Sequence, residues 1–460
     1  MSIVRLIVRK LLNFLVHKEQ YSILVLLVLL NIKEKNKGKE KRLFSSSLDK
    51  ITVLALDCDK YRGDLEALSL HEGIRILFMS QKPAGWLVKP FYSELDIVRY
   101  INAKKDTDDA INHKKAYNFM RKFLSIFYKY VSVDCVTTVN YRYPEDYNWT
   151  KASDNLGVPH IMLYRECLIA SERVYDRVTL RKSEQFGKFH GSHIITHNKI
   201  CKQSFVDSGY VSSNKVSVAG ALRMDNFIKL IEQNKAKKQQ IKKKKFILFY
   251  FPHNINLFGE NESVELKLPD KYSYHNKIWE KRDELFEDLH NAIIELALEY
   301  PDIEFIIKPK NVMVQNKSWN FYKGVVKNSE VNVKNLPNYK VDEDLNVSEA
   351  IIDSSIICAL QSSVVLESAL ANKRVIFPLF YDFLDTPYSN DFFWINDIEL
   401  FDVATSKSHF KKVFKNILCV SAPIPVNIQD KRIKLFEKWF DNVNGESLSL
   451  YYDTFKKVIN

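Results

Sequence analysis

Short apolar runs alternate with amphipathic stretches along most of the chain, and the pattern predicts strands and helices in turn. Residues 49–59 (DKITVLALDCD) read as a strand ending in acids, DLEALSLHEG as a helix with a Gly stop, and IRILFMS as the next strand. The unit recurs at VDCVTTVN (133–140), YNWTKASDNLG (147–157) and VPHIMLYREC (158–167), then at GSHIITHN (191–198), KICKQSFVDSGY (199–210) and KVSVAG (215–220). After a Lys-rich stretch it restarts with FILFYFPHN (246–254), the amphipathic helix 282–301, and DIEFIIKPKN (302–311). EAIIDSSIICAL (349–360), VVLESALANK (364–373) and RVIFPLF (374–380) continue it, and the tail from 384 to 460 is mostly helical. Strands alternating with helices predict parallel sheets joined by right-handed crossovers.

Two apolar runs open the chain, residues 3–16 and 21–32, separated by HKEQ. The second would span roughly 18 Å as a helix, short of the ~30 Å hydrocarbon core. In the first, Arg5, Arg9, Asn13 and His17 recur every fourth residue and draw one polar stripe on an apolar helix. That pattern predicts a helix lying in a membrane interface beside anionic lipid; the alternative is a helix docked on the protein's own body. KEKNKGKEKR follows where a cleaved signal would need small residues.

Charge sharpens the organisation. The 460 residues carry a formal +12, with +7 in residues 1–42 and another +7 in KAKKQQIKKKK (235–245), which leaves the remainder near neutral. Positive charge on a terminus and a joint, not on a folded face, argues against a nucleic-acid partner. The expected organisation is a basic, apolar membrane-associating segment (1–45), a first αβ domain (46–234), a Lys-rich linker (235–245), a second αβ domain (246–400) and a helical tail (401–460). The six cysteines show no C-x-x-C spacing, which suits a reducing cytoplasm rather than a disulfide framework or zinc ribbon. No G-x-G-x-x-G, P-loop, H-E-x-x-H or G-x-S-x-G pattern occurs.

In open α/β sheets ligands gather at the carboxyl ends of strands. In the second half those ends carry His253, Lys308 and Gln361-Ser362-Ser363. Backbone N–H groups and two hydroxyls at the helix start after Gln361 would hold a phosphate, with Lys308 adding charge from a neighbouring strand. The other reading makes Ser362 an ordinary N-cap and Lys308 a surface lysine.

Residues 350–380 resemble the nucleotide-sugar-binding segment of GT-B glycosyltransferases of bacterial surface polysaccharides. Related patterns occur in CDP-glycerol glycerophosphotransferases and in Kdo- or sialic-acid-transferring enzymes. The resemblance rests on Ser362, Ser363, Glu367 and Pro378, and on KVSVAGALRMDNF (215–227), similar to a G-x-x-R-x-D turn with Gly220, Arg223 and Asp225. Where many members carry K-x-H-P, this chain has Lys308 and Pro309 without the His. The resemblance implies two Rossmann-like domains facing a cleft. It also implies nucleotide-sugar donor binding by Arg223, Lys308, Ser362, Ser363 and Glu367; His253 is added by its place after a strand, and a site of helix ends and Lys/Arg charges is expected to need no cofactor and no metal.

Glu166, at the end of its strand, is the expected base for an acceptor hydroxyl, with Arg165 and His190 as acceptor-binding residues; His193 precedes the next strand. Asp57-Cys58-Asp59 is a D-x-D after a strand, but it ends the first strand, unlike the metal-binding D-x-D of GT-A enzymes, and Asp106-Thr107-Asp108 lies in a polar loop. The expectation is a metal-independent glycosyltransferase acting on a glycan or lipid-linked acceptor at the inner face of the cell membrane. The alternatives are a UDP-sugar 2-epimerase and a non-catalytic scaffold of a polysaccharide complex.

Overall fold

The computed structural model describes residues 3–36, 39–41, 49–236, 244–249, 279–309, 317–420 and 423–460. The chain divides into two compact units. Unit 1 holds residues 1–167, 178–226 and 439–460, and unit 2 holds 168–177 and 227–438. His253 and most of the Lys-rich stretch lie outside the described residues.

Unit 1 opens with helices α1 (Ile3–His17) and α2 (Tyr21–Leu29) and the strands β1 (Lys33–Asn36) and β2 (Lys39–Lys41). It continues through β3 (Ile51–Ala55), α3 (Asp64–Leu68), β4 (Ile74–Phe78), α4 (Gln81–Val88), α5 (Ile97–Ile101) and α6 (Asp108–Phe127). Then follow β5 (Cys135–Thr138), α7 (Pro144–Asn155), β6 (His160–Leu163), α8 (Glu172–Gln185), β7 (His193–Thr196), α9 (Lys199–Asp207) and β8 (Val216–Val218). Its sheet runs β2-β1-β4-β3-β5-β6-β7-β8. From β4 to β8 every pairing is parallel, while β1 pairs antiparallel with both β2 and β4. The strands read as apolar runs because helices cover both faces: β5 and β6 are buried at every position.

Helix α10 (Met224–Ala236) leads into unit 2, whose elements are β9 (Lys245–Phe249), α11 (Arg282–Glu299), β10 (Glu304–Lys308), α12 (Lys317–Asn328), β11 (Tyr339–Val341), α13 (Val347–Asp353), β12 (Ile356–Cys358), α14 (Val364–Leu370) and β13 (Arg374–Pro378). The tail adds β14 (Asp402–Ala404), α15 (Lys407–Val420), α16 (Val426–Phe440) and α17 (Ser447–Ile459). The sheet is β11-β10-β9-β12-β13-β14, parallel throughout. Renumbered along the chain that is 3-2-1-4-5-6, the Rossmann order. The expected pair of Rossmann-like α/β units is therefore present. The tail is less purely helical than its pattern predicts, because Asp402–Ala404 closes the edge of this sheet. In the 168–177 segment Arg173 donates to Asp391 at 2.7 Å, and both are buried within unit 2.

The N-terminal helices are docked, and they also keep an apolar outer side. Leu12, Leu15, Val16, Leu24, Val25, Val28 and Ile32 join the core that α4, α6 and α7 build. Burial of such side chains contributes about 1.5–3 kcal/mol each. Val8, Leu11, Phe14, Ile23, Leu26 and Leu30 stay between 46% and 74% exposed. The polar run after α2 forms the β1–β2 hairpin: Glu34 is buried at 2.9 Å from Arg75, and Lys35 pairs with Glu66.

Candidate functional site

In each sheet the strand order reverses once, and the carboxyl ends on either side of the reversal open a crevice. In unit 1 the reversal falls between β3 and β5, and in unit 2 between β9 and β12.

At the unit 1 reversal, β3 runs into Asp57, whose backbone is left-handed at φ +51°. Asp57 is buried and its Oδ2 has no hydrogen-bond partner. Across from it β5 ends at Thr138, the chain turns through Asn140–Tyr143, and Pro144 starts α7 at a position where its missing N–H costs nothing. The first turn of α7 presents Glu145 and Asp146, both buried. Asp146 Oδ1 also lacks a partner. Burial pushes the Asp57 carboxyl up to about 6, against the pull of Lys60 and with help from Asp59 and Glu145. Burial, then the charges of Asp57 and Glu145, raises Asp146 well above the carboxylate range. Among the described residues no group of three or more His, Cys, Asp or Glu side chains could hold a metal.

Beside Asp146 lies a small recess lined by hydroxyls, aromatic rings and two histidines. His160 Nε2 is 2.9 Å from Thr138 Oγ1, and His190 Nε2 is 3.0 Å from Thr150 Oγ1. Burial lowers His160 far below its ordinary value and takes His190 down to about 3, so both rings are neutral at pH 7. The His160 Nδ1 has no partner. Tyr147 meets the His190 ring edge-on at 4.8 Å, and Tyr141 and Tyr143 complete the aromatic lining. Aromatic faces and neutral donors and acceptors thus line a recess with room for about one water molecule.

His190 therefore lies in this recess. Glu166, the expected base, is 53% exposed and ion-paired to Arg142. Arg165 is turned the other way: its Nε is 2.8 Å from Asp64 Oδ2 and its Nη1 donates to Lys60 O at 2.5 Å. Arg223 lies over the Phe440 ring, 5.5 Å from its centroid. Its partners in the G-x-x-R-x-D turn have structural work. Gly220 O accepts from Tyr451 OH at 3.2 Å, and Asp225 accepts from the N–H groups of Ser447 and Leu448 at 3.2 and 2.8 Å, capping α17.

At the unit 2 reversal, β12 runs into Gln361-Ser362-Ser363. Gln361 is fixed by donating to Asp391 O at 2.8 Å and accepting from Phe393 N at 2.9 Å. That fixes the turn and leaves both serines half-buried, at the head of α14. Ser362 Oγ accepts from Val364 N at 3.3 Å, and Ser363 Oγ is 3.4 Å from Glu367 Oε1. Lys308 is not a surface lysine. It is buried, donating to Pro309 O at 3.2 Å and Glu343 O at 2.5 Å. Burial lowers its pKa, and Asp342, Asp344 and Glu343 oppose the shift. The expectation of neighbouring strands is corrected here: β9 lies between β10 and β12, because the Rossmann crossover carries β12 to the far side of β9. Lys308 is thus two strands from Ser362, with its ammonium turned towards the end of β11.

No protein-family model matches the chain, and no curated protein matches it. Among solved structures it is similar to the UDP-GlcNAc 2-epimerase of Neisseria meningitidis bound to UDP-GlcNAc, at 14% identity and TM-score 0.45 over 89% of this chain and 100% of that one. A second is the UDP-GlcNAc 2-epimerase of Methanocaldococcus jannaschii, at 13% and 0.48 over 88% and 99%. A third is a UDP-forming α,α-trehalose-phosphate synthase of Burkholderia xenovorans, at 10% and 0.44 over 89% and 98%. None of the three is a CDP-glycerol- or Kdo-transferring enzyme. The fold itself rests on the two strand orders of this chain.

The sequence shows Asp57 within a D-x-D after a strand and His190 before one; the burial of Asp146 beside Asp57 is the feature that the pattern does not announce. Its visible signal is Pro144 followed by two acids after a strand end.

Proposed function

We propose that this chain is a GT-B-type glycosyltransferase that uses a nucleotide-activated sugar, or polyol phosphate, as donor and needs no metal. The observation that carries the reading is the Gln361-Ser362-Ser363 turn at the reversal point of a 3-2-1-4-5-6 sheet. There two half-buried hydroxyls and the start of α14 meet an anionic leaving group. The acceptor is a surface glycan or lipid-linked saccharide. The proton of the acceptor hydroxyl goes to a carboxylate of unit 1. Asp57, with its pKa near 6, suits that task better than Glu166, which is tied to Arg142. The test is transfer of labelled sugar by wild type and by Ser362→Ala/Ser363→Ala. Undiminished transfer by a folded double variant would refute the reading.

One observation favours a second reading, a UDP-sugar 2-epimerase. Two buried acids of raised pKa on either side of the β3–β5 reversal suit removal and return of a proton on a single sugar. Such an enzyme releases an epimerised sugar with no acceptor added, and the same incubation distinguishes the two.

The outer side of α1 and α2 is proposed to rest on an anionic lipid surface at the cytoplasmic face of the cell membrane. Among the described residues, six of fourteen exposed large hydrophobic side chains fall between residues 8 and 30, so the apolar exposure is concentrated there. Arg9, Lys10 and Lys18 are exposed on the same helix pair, which complements anionic head groups. No helix among the described residues is long and apolar enough to cross a membrane, so the contact is interfacial.

A further inference from the structure

Three arginines from three separate strand ends meet around one loop of unit 1. The loop 60–64 follows β3, and Arg62 and Gly63 take left-handed backbone at φ +47° and +102°. Arg165, from the end of β6, is fixed to this loop at both sides, through Asp64 at 2.8 Å and Lys60 O at 2.5 Å. Arg223, from the turn after β8, packs against the same loop: a Cβ on Gly63 would stand 3.8 Å from its own Cβ. Phe440 supports the Arg223 guanidinium from one face, and its Nη1 is buried without a hydrogen-bond partner. Arg62 is exposed.

The charges do not balance. Arg165 is mostly buried, and burial lowers its pKa. Asp64 opposes that shift, while the positive charges of Arg223 and Arg62 add to it. Among the described residues the one carboxylate in ion-pair contact with any of the three guanidiniums is that of Asp64, and Lys60 stands on the same loop. Like charges gathered in partly dry surroundings are unfavourable unless an anion completes them. A guanidinium offers a planar fork of N–H donors that matches phosphate oxygens two at a time.

We infer that Arg62, Arg165 and Arg223 form a phosphate-binding site in unit 1, which takes a phosphate or diphosphate group of the substrate. The inference rests on the nucleotide-sugar reading above and narrows it, joining Arg165 and Arg223, expected to serve acceptor and donor separately, into one site. The phosphate belongs either to the nucleotide diphosphate or to a lipid-linked acceptor. Both share the chemistry, and the experiment separates them.

The experiment is calorimetric titration of the full chain with inorganic pyrophosphate, UDP and dodecyl phosphate. It is run on wild type, Arg62→Gln/Arg223→Gln, Arg62→Gln alone and Arg223→Lys. Arg165 is left in place because its ion pair ties the end of β6 to the loop. Wild type is expected to bind at least one probe, and the double variant to bind it about 10–100-fold more weakly, as loss of charge-assisted hydrogen bonds implies. Arg223→Lys is expected to recover part of the affinity. A larger loss of affinity for UDP than for dodecyl phosphate in the double variant assigns the group to the nucleotide; the reverse assigns it to the acceptor. Arg62→Gln changes an exposed side chain, so it reports even if the double variant misfolds. Absence of binding by wild type to all three probes overturns the site, as does unchanged affinity in a folded double variant. Arginine-dependent binding without any sugar transfer or epimerisation would leave the site standing and remove the functional reading instead.

Discussion

Asp57 and Asp146 stand on either side of the β3–β5 reversal, each buried with one carboxylate oxygen unpartnered, and the charge of Asp57 helps hold Asp146 protonated. Burial raises the folded pKa of Asp57 to about 6 from an ordinary 3.8. The folded state therefore binds this proton more tightly than the unfolded chain. Its stabilising contribution is full below about pH 4 and is lost as the pH rises through about 6. Asp57→Asn removes that loss. The variant is expected to be more stable than wild type at pH 7.5 by on the order of 2–3 kcal/mol, with the gap closing towards pH 4. Urea midpoints at the two pH values check it. A gap independent of pH would contradict the assignment.

The outer side of α1 and α2 makes a separate prediction. Deleting the helices would remove six core side chains and unfold unit 1, so the test must use substitutions that touch only the exposed face. Phe14→Glu/Leu26→Glu alters residues that are 55% and 57% exposed. Co-sedimentation with vesicles containing anionic lipid is expected to fall about tenfold or more, with melting unchanged. Wild-type protein that ignores such vesicles, or that self-associates through this face instead, would refute the lipid contact.

The G-x-x-R-x-D turn combines two roles. Gly220 has φ +75°, and a Cβ there would lie 2.7 Å from Ser447 Oγ and 2.9 Å from Phe440 O, so the tail closes over it. Asp225 caps α17. Asp225→Ala is expected to cost about 2–4 kcal/mol through loss of two hydrogen bonds to a charged acceptor. Arg223→Gln should leave stability nearly unchanged. Thermal unfolding of both variants checks the contrast, and equal losses would show that Arg223 is structural as well.

Much of the fold is legible in the sequence because buried parallel strands read as plain apolar runs: ITVLA, HIML, FILF and RVIFP all become strands. Gln361-Ser362-Ser363 is legible for the same reason, since it follows such a run. The charged β1–β2 pair is hidden, because Glu34 and Lys35 are held by Arg75 of β4 and Glu66 of α3 instead of burying an apolar face. Strand adjacency is hidden too, and the neighbourhood assumed for Lys308 and Ser362 fails on it. Asp146 reads as a loop acid after Pro144; only the packing of α7 on the sheet buries it. The arginine site is long-range by nature, since Arg62, Arg165 and Arg223 come together only when three strand ends do.

The central claim is that the serine turn of unit 2 holds the charged part of a nucleotide. Calorimetric titration with UDP, GDP, CDP and CMP, on wild type and Ser362→Ala/Ser363→Ala, tests it most directly. The account predicts that wild type binds one of the four in preference to the others, and that the double variant binds it at least tenfold more weakly with its fold intact. Equal affinity in the two proteins, or no binding of any nucleotide by wild type, would contradict it.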